Sequence, residues 1–393
     1  MAWKTNRFGY GALAALGLLW LAPARAAEAP LAHARLSGEL LGEIVQSLLP
    51  ATVAPARAGA DAEEKPLRLL AVGYCGPGEK GTGRLRALAS RGRGEASASV
   101  SCAGGLGEWA ERAGPALPEG ILLVDIEASW KSWELRLAAV RGLVMGKGGR
   151  HRPAPGFEQR FDLATVSTAD LRIDTGEQPI VLHAIPAFQE RAVEVVIVLA
   201  DRAPARLPRT PASRLAWAEP ANCAAEIPGP FANQILRLLT AQRPVSIPLQ
   251  GEEVDIANVT LAGEGAGEGA RLVLAGTAEP RSLRESTQWT LVAAGEPLRV
   301  SSLRMAAEYE DCAGLGTMAA MACKVRNGAR ATATEAFGRA LTERYQARLV
   351  HELASPVRLG FTVAGQRVSL DGDLLRMSAS AGGLQATARL SAR

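Results

Sequence analysis

Residues 229–249 read GPFANQILRLLTAQRPVSIPL. Phe231, Ile235, Leu238 and Leu239 recur at the three- and four-residue spacing that lines one side of a helix. Pro244 ends that helix, because proline has no N–H to give and disfavours helical backbone in the residue before it. Val245, Ile247 and Leu249 then fall on every second position, as the apolar face of a strand does. The unit is an amphipathic helix, a proline and an outgoing strand.

The same grammar occurs twice more. LSGELLGEIVQSLLPATVAP, from Leu36, carries Leu40, Leu41, Ile44, Val45 and Leu48 at helical spacing, then Pro50, Val53 and Pro55. TEAFGRALTERYQARLVHELASPVRLGF, from Thr334, carries Phe337, Leu341, Tyr345 and Leu349, then Pro356, then Val357, Leu359 and Phe361. Past the proline the last two units keep matching. PVSIPLQGEEVDI from Pro244 is echoed by PVRLGFTVAGQRVSL from Pro356. Each runs on through a turn to another alternating stretch, LVLAG from Leu272 and LQATARL from Leu384. We read this as an internal repeat.

Between the units the chain reads as β meander. Ile121–Ile126 is continuously strand-like, and Trp133, Leu135 and Leu137 alternate with polar neighbours. FDLATVSTADLRID from Phe161, PIVLHAI from Pro179 and AVEVVIVLA from Ala192 follow, separated by turn signals. Strands this close together, without helices between them, pair antiparallel. Residues 76–99 are rich in Gly, Arg and Ser and are expected to form a long exposed loop. APARLPRTPAS, from Ala203, reads as a linker. The expected fold class is α+β, with helices packed on twisted antiparallel β meanders in two similar domains. The expected division is a signal peptide at 1–26, an N-terminal α+β domain at 27–202, a Pro/Arg-rich linker at 203–220 and a C-terminal α+β domain at 221–393 holding the repeat.

A helix on a twisted meander, given twice in one chain, resembles the tubular lipid-binding (TULIP) superfamily. The resemblance rests on the three helix–proline–strand units and their meanders, and it is one of pattern, with no signature motif. It implies a gap between helix and curved sheet that holds a lipid or other apolar molecule, lined by residues such as Ile235, Leu239, Val245 and Ile247. It brings no catalytic set with it. The Gly/Arg-rich stretch after Cys75 and the apolar Cys312–Cys323 loop depart from the pattern.

The N-terminus has the three parts of a secretory signal. Lys4 and Arg7 are followed by the apolar run GYGALAALGLLWLAP from Gly9, then Ala24-Arg25-Ala26, which places cleavage after Ala26. The run is shorter than the ~20 residues a spanning helix needs, and no later segment reaches that length. The mature chain is expected to be soluble, in the periplasm or secreted, with no transmembrane span. The formal charge is +4, but the signal holds three cations and no acid, so the mature chain has 41 basic against 40 acidic residues. Bulk charge therefore gives no support for a nucleic-acid partner.

In an oxidising compartment cysteines pair by default. Cys75 and Cys102 bracket a polar stretch, and Cys312 and Cys323 bracket CAGLGTMAAMAC, so both pairs are expected as disulfides. Neither has C-x-x-C spacing or a nearby histidine, so no metal or redox site is expected there. Cys223 is left over, either a buried thiol or an intermolecular partner. Within the stapled loop, Leu315, Met318 and Met321 either fold onto the domain and cover its core or form an adaptable surface at a pocket mouth or partner interface.

Catalytic signals fail one by one. His351-Glu352 begins like a metalloprotease motif but lacks the second histidine, His183 lies in a strand, and GEGAGEG from Gly263 precedes a strand and reads as a hairpin turn. Asp125 and Glu127 share a strand face, the arrangement of ordinary strand charges. No catalytic residues and no cofactor are expected. The sequence leaves three functions open: a non-enzymatic envelope protein binding a lipid or apolar ligand, a structural or accessory part of an envelope assembly with a protein partner, and a hydrolase acting on envelope polymers.

Overall fold

The computed structural model describes residues 31–48, 68–91, 99–157, 160–169, 171–173, 180–200, 203–204, 215–242, 245–249, 252–264, 271–280, 287–294, 299–307, 311–328, 331–332, 357–363, 366–380 and 383–393. The proposed signal segment, most of the linker, the third amphipathic helix from Thr334 and His351 lie outside them.

The molecule is mostly antiparallel β, and the α+β expectation is corrected accordingly. Nineteen strands, β1 to β19, carry the described chain. Among the described residues, α-helices longer than one turn are α1 (Gly38–Leu48), α2 (Leu106–Ala113), α3 (Gly229–Gln242) and a stretch at 317–328, here α4. The physical reason is reach: helices of 8 to 14 residues each cover one strand or two, while the alternating apolar pattern continues through segments that look like loop.

Eight strands close into a barrel in the order Leu31–Ser37 (β1), Ala192–Leu199 (β10), Ile180–Phe188 (β9), Leu171–Ile173 (β8), Val357–Val363 (β17), Gln366–Ser380 (β18), Gly383–Ala392 (β19) and Cys223–Pro228 (β11). A six-stranded sheet runs Arg68–Pro77 (β2), Gly83–Ser90 (β3), Ile121–Lys131 (β4), Glu134–Met145 (β5) and His151–Pro153 (β6), with Phe161–Ser167 (β7) also pairing to β5. A five-stranded meander runs Val245–Leu249 (β12), Glu252–Glu264 (β13), Arg271–Pro280 (β14), Thr287–Ala294 (β15) and Arg299–Ala307 (β16). The chain forms two compact units, one of residues 33–225, 357–372 and 388–393, the other of residues 1–32, 226–356 and 373–387.

In the first unit the six-stranded sheet is buried on both faces. Leu85, Ala87, Val124, Ile126, Leu137 and Phe157 belong to one core cluster, and Leu88, Trp109, Ile121, Leu123 and Met145 to a second. This corrects the expected loop at 76–99. Residues 83–90, GRLRALAS, are a strand whose Leu85, Ala87, Leu88 and Ala89 are all buried. A strand covered on both sides shows no clean alternation, so its small residues mimic loop composition.

Helix α1 is capped by Ser37, whose Oγ accepts from the Leu40 N–H at 3.1 Å. Its Leu40, Ile44 and Val45 are buried. Gly42 lets it sit on β2 backbone to backbone: a Cβ there would come within 2.5 Å of the Val72 carbonyl oxygen. Glu43 accepts from the Ala392 N–H at 2.8 Å and ties the chain's last strand to this helix.

Two disulfides, Cys75–Cys102 and Cys312–Cys323, are present, and Cys223 is a free thiol. The first bridges β2 to the segment leading into α2. Arg86, 5% exposed, holds the same segment down. It donates to Asp125 Oδ1 at 2.8 Å, to the Ser101 carbonyl at 2.9 Å and to the Gly104 carbonyl at 3.3 Å, and lies over the Trp109 ring.

Candidate functional site

Strand register in the five-stranded sheet assembles an apolar face that no single stretch of sequence displays. Leu261 of β13 pairs with Leu274 of β14, Leu274 with Leu291 of β15, and Leu291 with Leu303 of β16. These are four leucine positions in one row across four strands. Leu272 opposite Ala293, and Gly276 opposite Trp289, extend the same face by two residues on either side. Trp289 packs on Gly276 so closely that a Cβ at Gly276 would meet the indole at 2.8 Å. A glycine at this position leaves room for the ring, and the ring covers the backbone the glycine exposes.

A bulge in β13 between Ala257 and Thr260 inserts one residue against β14. Asn258 takes a left-handed backbone there (φ 51°), which asparagine tolerates better than most residues. The bulge restores phase. Ile256 pairs with Ala278 and Val254 with Pro280, two and four residues beyond Gly276, so both share the leucine face. Val245 pairs with Ile256 and Ile247 with Val254. Register thus puts Val245 and Ile247 on the same face as the leucine row.

Helix α3 lies against β13. Asn233 fixes it: the Leu261 N–H donates to Asn233 Oδ1 at 3.2 Å, and Asn233 Nδ2 donates to the Leu261 carbonyl at 3.4 Å. Strand β12 pairs only with Glu252–Ile256, so at Leu261 the amide stands in for the strand that has ended. Phe231, Ala232, Ile235 and Leu236 of α3 are fully or almost fully buried, while Leu238 is exposed. The buried stripe is therefore turned toward Ala232 and Leu236 from the one expected through Leu238. The sequence periodicity admits both stripes, and the anchor at Asn233 selects between them.

Of the expected lining residues, Ile235 is completely buried. The side chains of Leu239, Val245 and Ile247 lie outside the described residues. The row residues Leu274 and Leu291, and Trp289, were not expected. Leu261 and Leu272 are buried, yet Leu274, Leu291 and Trp289 stay partly exposed. The Trp289 indole N–H is buried with no hydrogen-bond partner among the described residues. A buried donor without an acceptor costs on the order of 1–3 kcal/mol, so it marks a place where a polar atom would be accommodated.

The candidate catalytic groups are otherwise engaged. Asp125 is paired with Arg86, and Glu127 with Arg160 at 2.7 Å. His183 is a strand residue, 2% exposed, with Nε2 2.9 Å from the Ala200 carbonyl and its ring edge-on to Trp133. No cluster of three or more metal-binding side chains occurs among the described residues. In the first unit a cleft of about 450 Å³ is lined by Glu119, Lys147 and several glycines. It offers little apolar wall.

No known family model matches the chain, and no curated protein is similar to it in sequence. Among solved structures, P47 from Clostridium botulinum A2 aligns over 91% of this chain and 97% of its own at 8% identity, with a TM-score of 0.30. P47 of Clostridium botulinum E1 aligns over 92% and 98% at 9% identity, TM-score 0.31. A lipopolysaccharide binding protein aligns over 93% and 99% at 10% identity, TM-score 0.23.

Proposed function

We propose that this is an exported, non-catalytic envelope protein that holds a lipid or other apolar molecule between α3 and the apolar face of the five-stranded sheet. The observation that carries this is the incomplete cover on that face. Leu274, Leu291 and Trp289 extend the apolar row of Leu261 and Leu272 but remain partly open, beside an indole N–H that lacks an acceptor. An amphiphile answers both needs: its chain covers the leucines and its ester or carboxylate oxygen accepts from Trp289. Each methylene removed from water contributes about 0.8 kcal/mol toward retention. Ile235, Leu239, Val245 and Ile247 complete the proposed lining. Export is supported by the two disulfides and by the N-terminal pattern. No described helix is long and apolar enough to cross a membrane.

Native mass spectrometry of the mature protein should show an added mass that organic extraction removes. Delipidated protein should take up a fluorescent fatty acid or phospholipid. Trp289→Phe keeps the ring and deletes the donor, so it should leave stability unchanged or slightly raised while weakening uptake several-fold. Folded, delipidated protein that takes up neither probe overturns the reading and leaves the structural or accessory role. N-terminal sequencing of exported material should begin at Ala27.

A further inference from the structure

The disulfide-closed segment does not fold onto a core. Leu315, Met318 and Met321, read from sequence as either core cover or an adaptable surface, are 46%, 84% and 67% exposed, and Val325 is 69% exposed. Met318, Met321 and Val325 lie at i, i+3 and i+7 on α4, one side of the helix. Large apolar side chains this bare on one helix face are uncommon in a protein that meets only water. The opposite side is anchored: Cys323 is 0% exposed and bonded to Cys312, and Asn327 Nδ2 donates to Cys312 Sγ at 3.4 Å. The disulfide fixes the helix to the loop before it, on the side away from the bare stripe.

Charge selects the occupant. Residues 312–328 contain no acid and two cations, Lys324 and Arg326, both exposed. At about 100° per residue these fall on opposite flanks of the Met318–Met321–Val325 stripe. An apolar stripe bordered by cationic charge matches an anionic lipid surface, with the Lys324 side chain reaching headgroup phosphates while the stripe enters the acyl boundary.

We propose that α4 is a membrane-docking element that inserts Met318, Met321 and Val325, with Leu315 beside them, into the surface of an anionic lipid bilayer. The proposal does not depend on an internal ligand.

The test uses the mature, full-length protein in co-sedimentation with vesicles of phosphatidylethanolamine and phosphatidylglycerol, and with vesicles of phosphatidylcholine alone. Wild type should pellet with the anionic vesicles, more weakly at high salt and more weakly still with the neutral ones. The double variant Met318→Ser/Met321→Ser should lose at least tenfold in partitioning. Its thermal unfolding should not change, since neither side chain is packed, and neither should any bound mass seen by native mass spectrometry. Lys324→Glu should lose several-fold on anionic vesicles only. Wild-type protein that stays in the supernatant with both vesicle types overturns the proposal, as does a double variant that pellets like wild type. A wild-type dimer in sedimentation velocity that the double substitution dissolves also overturns it, giving this face to a second copy of the chain.

Discussion

The six-stranded and five-stranded sheets are both antiparallel meanders with a helix laid against them, yet they treat that helix differently. In the six-stranded sheet, α1 touches β2 backbone to backbone at Gly42, α2 adds Trp109 to the other face, and a disulfide and Arg86 fasten the connecting segment. Among the described residues both faces of this sheet carry a buried core cluster. In the five-stranded sheet, α3 is pinned through one amide at Leu261, and the next leucines along the row remain partly exposed. The same elements give a solid core where both faces are covered and a half-covered platform where one helix works alone. The first arrangement spends its apolar surface on stability, and the second keeps some for a guest.

If that contrast is right, substitutions should divide between stability and retention. The largest loss should follow Arg86→Met. It strands Asp125 without its partner and releases the Ser101 and Gly104 carbonyls, at a cost of about 4 kcal/mol in chemical denaturation. A loss below about 1 kcal/mol would mean the buried cation is not holding the segment. Leu123→Ala, at a position 0% exposed in the double-sided core, should cost about 3 kcal/mol. The matched change Leu274→Ala should cost about 1 kcal/mol, because the side chain is already partly wet, while reducing uptake of a fluorescent lipid. Equal costs at the two sites would erase the distinction between core and platform.

The smallest effect is alkaline. Burial raises the Tyr74 hydroxyl to about 12 and the Cys223 thiol to about 12. Both groups keep their protons longer in the folded chain than in the unfolded one. Their contribution is fully present below about pH 9, where unfolded cysteine begins to ionise, and fades as pH rises toward about 12. Neither residue lies in the five-stranded sheet. Alkaline titration should therefore weaken unfolding resistance without altering lipid uptake until the fold itself is lost. Cys223→Ala should move the onset upward by about a pH unit. The native thiol should resist alkylation near pH 8 and react once the chain is unfolded.

The legibility of the sequence follows from which interactions are local. Helix α1, the start of α3 and both disulfides could be read because capping, proline punctuation and short cysteine spacing act within one stretch of chain. Strand β3 could not. Its Leu88 serves one core cluster and its Leu85 and Ala87 another, so burial on two faces removed the alternation that announces a strand. The leucine row failed for a different reason. Leu261, Leu274, Leu291 and Leu303 each sit in an unremarkable apolar run, and only the register aligns them; the extra residue near Asn258 then brings Ile256 and Val254 onto the same face. Met318 and Met321 were compatible with core cover or with an adaptable surface, and hydrophobicity alone could not choose between them. Composition says that a residue prefers to be buried, but not whether anything is there to bury it.

The Asn233 clamp has a consequence beyond holding a helix. Where β12 stops, the border of β13 would present an unpaired N–H and carbonyl, the template on which a foreign strand adds. The side-chain amide fills both positions at Leu261 and closes that template with a group that cannot propagate a ladder. Lost here, the amide would leave a sticky border, and the protein's solubility on storage or at high expression would fall before its melting temperature did.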